Sequence, residues 1–522
     1  MRTTNHHGKR RWLLPIVALG SVSALLFTSA YQLDRVLIGR SGSALDDYLV
    51  LDPGMLTDAI SQLAPNVVAL LGIVVTVVAI IVQLAANRFS GVARRFLNDG
   101  INQRVMAFYV VAAVMGVWLS VALHEDFTPR IALVLCMLLA SFGTLLMLPY
   151  FAYVFWFLEP PNLIRRIREQ ASDAVGAACH ASSSEAIADC QKQALDALAE
   201  LTDISNHSIA AKDKIVASRA VDALRDFASS YLDRKGELPG RWFAIGALIR
   251  ENPDFVAMDP ESLADLEQRH TWLEWQVLRQ YLSIYAESLG VMRDINYLIA
   301  IDTRYLGEQA AKRLDRELVA LVFRFFNSYM RATLNARDVR TAYNVLNQYR
   351  LFGQNLLHMG HGAHALEALR HMSYYGHVSF DLTLNFVTET VAYDISSLCQ
   401  TAHEASAIEV DDMLFHFLRL DRPLRIKSQE RALLGVRKAQ VKLAAYFISA
   451  GDHRRARLIA EDMREERGER LAIIRGELES VVEKDFWEII DRGRSFEYMP
   501  PPQRAALPAF FDLLAEVQAA GE

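Results

Sequence analysis

Cysteine is scarce in this 522-residue chain, with only Cys136, Cys179, Cys190 and Cys399. None is spaced from another as metal ligands are, which leaves no zinc ribbon and no disulfide framework and fits free thiols in a reducing compartment. The sequence has no Walker loop, dinucleotide glycine pattern, H-E-x-x-H, G-x-S-x-G or C-x-x-C, so the enzyme classes those motifs carry have no support, and no cofactor is implied. Positive charge is short as well. Residues 161–522 hold 44 Lys and Arg against 52 Asp and Glu, a poor basis for a nucleic-acid partner, because neutralising phosphates needs a basic face.

Long apolar runs are what the chain has instead. Residues 12–31, 64–86, 105–124 and 131–157 each read as a membrane span, since about 20 residues at about 1.5 Å each cross the hydrocarbon core. The first follows a short basic stretch, residues 1–11, and is expected to be retained rather than cleaved, because its apolar core is long and no A-x-A site follows it. The last span ends in Tyr150, Phe151, Tyr153, Phe155, Trp156 and Phe157, rings expected at the membrane–water boundary. Basic residues concentrate in two places. Arg88, Arg94, Arg95 and Arg104 lie between the second and third spans, and Arg165, Arg166 and Arg168 follow the fourth. The positive-inside rule therefore predicts four helices with both termini in the cytoplasm, and the four loop arginines are candidates for contact with lipid phosphates.

In that loop Phe89, Val92, Ala93, Phe96, Leu97 and Ile101 recur at helical spacing. Two structures fit: an interfacial helix on the inner leaflet, or a straight continuation of the second span. No Asp, Glu, Lys, Arg or His lies well inside a span, which argues against a proton- or ion-coupled transporter. Ser21, Ser23, Thr76, Ser120, Ser141 and Thr144 are left as possible pore-lining residues, against the plainer role of small residues in close helix packing.

The segment Val77–Arg104, VVAIIVQLAANRFSGVARRFLNDGINQR, resembles the hallmark of a bacterial predicted membrane protein family, domain of unknown function 2254. In that family an apolar span runs into a VALQLAS-x-QFSPR-x-LRNF type of sequence. The matching positions are Val82, Gln83, Leu84, Ala85, Ala86, Phe89, Ser90, Arg94, Phe96 and Leu97. A second echo runs from Leu201 to Leu224, where Ala210, Ala211, Lys212 and Asp213 replace a Pro-Gly-Ile-Asn-Asp-Pro-like turn. Over roughly residues 10–170 the resemblance implies a bacterial inner-membrane protein, and it implies no activity.

Beyond the spans nearly every segment reads as helix, giving an all-α fold: a four-helix transmembrane domain at 12–160 and a large cytoplasmic helical domain, α-solenoid-like and tetratricopeptide-like. Residues 161–235 read as a juxtamembrane helical region, 236–258 as an irregular connection or small hairpin, and 259–522 as the repeat-like part. Pro260–Leu289 reads as one helix capped by Ser262. Val339–Tyr375 and Val436–Arg464 read as helix–turn–helix units, turning at Met359–Gly362 and Ser449–Asp452. The charged run Arg454–Lys484 reads as solvated helix faces with i,i+4 pairs.

Five histidines crowd into residues 358–377, and of these His358, His361 and His364 are spaced to offer imidazoles to a divalent metal. Asp203, His207 and Asp213 form a polar group in the second echo. Tyr343, Tyr349, Tyr374 and Tyr375 are candidates for a partner-binding surface. The leading expectation is a membrane-anchored helical scaffold that binds a cytoplasmic protein partner, with membrane lipids as further partners and a homo-oligomeric state. The alternatives are an oligomeric channel gated by the helical domain and a metal-dependent enzyme built on the histidines.

Overall fold

In the computed structural model the described residues are 53–86, 91–122, 130–421, 423, 426–485, 492, 493 and 495–520, with isolated positions between 21 and 36. The expected first span, 12–31, lies largely outside them, as does Arg88. All regular structure among the described residues is helical, as the segment-by-segment reading of the sequence predicts. The chain divides into two compact units, Met1–Arg165 and Arg166–Glu522.

The first unit holds α1 (Pro53–Ala86), α2 (Val92–Leu97), α3 (Gly100–Ala122) and α4 (Arg130–Leu158). Three stretches, Pro65–Ala85, Gly100–Val121 and Ile131–Leu158, are long and apolar enough to cross a membrane. Most of their large apolar side chains, among them Ile73, Leu84, Val111, Trp118 and Leu138, point outward, as helices surrounded by hydrocarbon require. Val74, Val78, Val105, Tyr109, Tyr150, Val154 and Phe157 face inward and pack together. The third span begins at Gly100, five residues before its apolar run, because Asp99 caps it: Oδ2 accepts from the Ile101 and Asn102 amides.

The second unit starts within α5 (Pro160–Ala178) and continues as α6 (Ser184–Ala210) and α7 (Lys214–Arg234). Residues 236–258 form short 3-10 turns and α8 (Ala247–Arg250), with no hairpin. The expected single helix over Pro260–Leu289 is two, α9 (Pro260–Gln268) and α10 (Trp272–Ser288). The break has a local cause. His270 adopts φ +55°, the Thr271 amide reaches back to the Leu266 carbonyl, and the cap is Asp259, accepting from the Ser262 amide, rather than Ser262.

Four consecutive helices of equal length follow α11 (Arg293–Lys312): α12 (Arg316–Asn335), α13 (Val339–His358), α14 (Gly362–Asp381) and α15 (Asn385–Glu404). Their turns centre on left-handed residues at Leu314, Arg337, Gly360, Thr383 and Ser406, each 23 residues after the last. In every one the next amide reaches back five residues: Asp315 to Ala310, Asp338 to Thr333, His361 to Leu356, Leu384 to Ser379 and Ala407 to Ala402. This is the Schellman closure, which satisfies orphan carbonyls at a helix end. Then come α16 (Val410–Leu418), α17 (Glu430–Ser449), α18 (His453–Asp462), α19 (Gly468–Ser480) and α20 (Pro501–Ala519). Alternate helices pack side by side, so that α7, α11, α13, α15, α17 and α20 form one layer and α6, α10, α12, α14 and α16 the other.

Close packing within the first layer rests on small residues at fixed intervals. A Cβ on Gly307 would lie 2.4 Å from the ring of Phe352, and one on Gly353 would lie 2.9 Å from Leu398. The second pair repeats the first after 46 residues, one helix hairpin. A glycine at each site lets the next helix approach to a distance that any side chain would prevent.

Candidate functional site

The segment that carries the family resemblance is folded onto the last span. Gly91 takes φ +78°, which L-residues with a Cβ disfavour, and so α2 does not continue α1 in a straight line. Val92 and Phe96 are buried, while Leu97 and Ile101 are exposed, and Phe96 meets Phe157 edge to face at 5.2 Å. Polar bonds hold the same contact. Tyr153 Oη donates to Asp99 Oδ2 at 2.6 Å, and Tyr150 Oη donates to Asn102 Oδ1 at 2.6 Å. Asn102 Nδ2 donates to the Phe96 carbonyl at 3.0 Å, and farther along Tyr109 Oη donates to the Gly143 carbonyl at 2.8 Å. Asp99 thus caps α3 and clasps α4 at once.

Within the aromatic cluster, Tyr150, Tyr153 and Phe157 belong to this interior, whereas Phe155 faces outward. Among the loop arginines Arg94 and Arg104 are exposed and Arg95 is half-buried. They sit at the end of the unit where α2 and the close of α4 meet.

In the helical unit the proposed histidine ligands lie on both sides of one turn. His358 ends α13, His361 precedes α14, and the rings of His361 and His364 are 6.3 Å apart. Among the described residues no group of three or more His, Cys, Asp or Glu side chains is arranged to hold a metal ion. His371 belongs to the interior: it hydrogen-bonds Tyr349 Oη at 3.1 Å, and burial lowers its pKa. Asp213 caps α7 through the Val216 amide, and His207 Nδ1 bonds the Asp203 carbonyl one turn back, so these polar residues serve helix ends.

The tyrosine surface needs correction. Tyr349 is fully buried and stacks on Phe326 at 4.8 Å. Tyr375 is buried too, donating to the Asn327 carbonyl at 2.6 Å. Tyr343 is half-buried against Phe386, which leaves Tyr374 exposed. On a helix, neighbours one residue apart point about 100° from each other, so Tyr374 and Tyr375 cannot share a face.

A line of buried polar contacts through the first layer was not foreseen. Arg225 donates to Asp302 (3.1 Å), Arg304 to Gln348 (2.8 Å), and Arg350 pairs with Asp394 (3.3 Å). Asp302, Gln348 and Asp394 are all buried and stand 46 residues apart, as do Arg304 and Arg350. Burial pushes the Asp302 carboxyl up to about 8 against the opposing pull of Arg225. A separate network lies farther along, where Arg437 of α17 meets Asp421 (2.7 Å), Asp462 (2.6 Å) and Glu466 (3.2 Å). Only the 46-residue spacing could have revealed the line, and that spacing shows once the turns are known. The charged run 454–484 does carry i,i+4 pairs such as Arg475–Glu479 at 2.9 Å.

No curated protein and no solved structure matches the chain. The family match runs past the spans to take in the Leu201–Leu224 echo, which lies in the α6–α7 hairpin. Residues 9–226 match the family described as predicted membrane protein (DUF2254), the family that the Val77–Arg104 segment resembles.

Proposed function

We propose that this protein is a scaffold anchored in a bacterial inner membrane, with its termini and its helical unit in the cytoplasm, and that the helical unit binds a protein partner, most simply as a homo-oligomer. The carrying observation is the pair of helix layers over residues 293–404, built from hairpins of constant length. Such stacks present extended faces made of many equivalent helices, which suits recognition of a protein segment. The orientation draws on charge. Arg94 and Arg95 precede the Gly100–Val121 span, and Arg165, Arg166 and Arg168 follow the Ile131–Leu158 span. Two crossings separate these clusters, so both fall on one side, which the positive-inside rule makes cytoplasmic.

The channel reading gains no particular support. Ser120 Oγ donates to the Val117 carbonyl and Thr144 Oγ1 to the Ala140 carbonyl, so each hydroxyl is satisfied by its own helix. The scaffold is tested by in-cell photocrosslinking from Tyr374, on the outer face of α14. Recovery of one defined partner protein supports it. Recovery of nothing beyond background, at Tyr374 and at the exposed Phe415 of α16, contradicts it.

A further inference from the structure

The outer face of the second helix layer carries a stripe of arginine and aromatic side chains. Arg324 and Arg331 stand seven residues apart on α12, which puts them on one face, and both are exposed. Arg370 and Tyr374 are exposed on α14, as are Phe415 on α16 and Arg419 at its C-terminal cap. Two contacts join the last two helices here. Arg370 Nε donates to His416 Nε2 at 3.1 Å, and His377 Nε2 donates to the Arg419 carbonyl at 3.0 Å. Tyr375 ties α14 to α12 through the Asn327 carbonyl.

No acid interrupts the stripe. α12 has none after Glu317, α14 none between Glu367 and Asp381, and α16 none after Asp412. Asp421, just past α16, is taken up by Arg437 at 2.7 Å, and positions 422, 424 and 425 beyond it are Arg, Leu and Arg. The stripe's own contacts are with neutral groups. Burial and the neighbouring Arg370 hold the His416 imidazole below its usual pKa, Arg419 lies over the Phe415 ring at 4.1 Å, and Arg331 meets the Tyr375 hydroxyl. At the α12 end the stripe runs into a groove of about 460 Å³, where Arg324 stands beside Trp275, Leu282, Leu321 and Phe325. The carboxylates of that groove are engaged: Asp254 by Gln276 (2.8 Å), Gln280 (2.6 Å) and Arg279 (3.5 Å), and Asp265 and Glu317 by Arg269.

We infer that this stripe receives an extended, acidic protein segment, with carboxylates on the arginines and an apolar side chain in the groove. The inference rests on the partner-binding reading and names the chemistry of the partner. Guanidinium forks match carboxylates, and exposed rings offer apolar area that a bound segment covers. Neighbouring helix axes lie about 8–10 Å apart, so α10 to α16 spans about 24–30 Å, the length of about seven to nine extended residues. A nucleic acid suits the face less well. Glu317, Glu367 and Asp412, all in the first two turns of their helices, edge the stripe with acids, and residues 161–522 carry more Asp and Glu than Lys and Arg, so a broad polyanion meets repulsion that a single strand avoids.

The test places a photoreactive side chain at Tyr374 of the full chain in living cells and maps the captured peptide by mass spectrometry. A protein segment rich in Asp and Glu is expected. Its yield should fall about tenfold or more when Arg324→Glu and Arg370→Glu are combined, a loss of about 1.4 kcal/mol. Arg340→Glu, at an exposed position on α13 in the other layer, should leave the yield unchanged. The thermal midpoint checks that the double variant is folded, and Arg324→Gln with Arg370→Gln repeats the test without reversing charge. Capture of a protein segment with no excess of acid, or equal capture by the wild type and the double variant, overturns the acidic stripe and leaves the partner reading standing. Capture of lipid or nucleic acid alone overturns the stripe as well, and capture of nothing at Tyr374 and Phe415 overturns both.

Discussion

The two units solve opposite solvent problems with the same element. In the membrane unit Ile73, Leu84, Val111 and Trp118 face out, while Asp99, Asn102, Tyr109 and Tyr153 are joined between helices. In the helical unit Phe323, Phe326, Tyr329 and Phe352 are fully buried. Burial of apolar surface therefore drives assembly in the second unit, whereas in the first the hydrocarbon offers no such gain and polar contacts select the arrangement. The difference explains why a handful of hydrogen bonds can organise one unit while the other needs a repeated core.

Six substitutions, in four comparisons, would break or sharpen this contrast. Phe352→Ala should have the largest effect, about 3–5 kcal/mol, because it empties the place where Gly307 lets two helices meet. A strongly lowered midpoint in thermal unfolding followed by circular dichroism would confirm it. Next, Ile73→Asp on the outward face of α1 should raise the cost of membrane insertion by about 2.5–3.5 kcal/mol, seen as protein lost from the membrane fraction. The same change at Ile408, 93 % exposed in the helical unit, should stay within about 0.5 kcal/mol.

Removing the clasp comes third. Tyr153→Phe and Asp99→Ala should each cost about 1–2 kcal/mol, and in a double-mutant cycle their effects should be non-additive, since the two share one bond. The smallest loss of stability among the buried contacts is expected from Asp338→Ala, about 1 kcal/mol through loss of a helix cap. Burial raises the Asp338 carboxyl, but Arg293 and the amide and hydroxyl of Thr341 outweigh it and hold its pKa below the usual range. A lowered folded-state pKa adds stability above the unfolded value and loses it as pH falls through the folded one. The gap between wild type and Asp338→Ala should therefore close on acidification below about pH 4, and a gap independent of pH would contradict the assignment.

Much of this was legible in the sequence. Uninterrupted apolar length showed the spans described, and 3.6-residue periodicity showed that most of the rest of the described chain is helical. The regular hairpin register stayed hidden because only one of its five left-handed turn residues, Gly360, is a glycine. Leu314, Arg337, Thr383 and Ser406 bear the same conformation, and side chains of those types do not signal a left-handed backbone as Gly, Asn or Asp would. Buried tyrosines misled for a related reason. Tyr349 and Tyr375 carry a hydroxyl that suits either a surface or a satisfied interior, and sequence does not say which helix face turns inward. The ladder of Asp302, Gln348 and Asp394 mixes two residue types at long spacing, so no short motif marks it.

The central claim is that the helical unit lies on the same, cytoplasmic side as the arginine loop. It is tested by replacing the four native cysteines with alanine, placing single cysteines at Ile408 and at Arg94, and labelling with a membrane-impermeant maleimide. Both positions should react in inverted vesicles and be protected in intact cells. Labelling of either from outside intact cells would contradict the account.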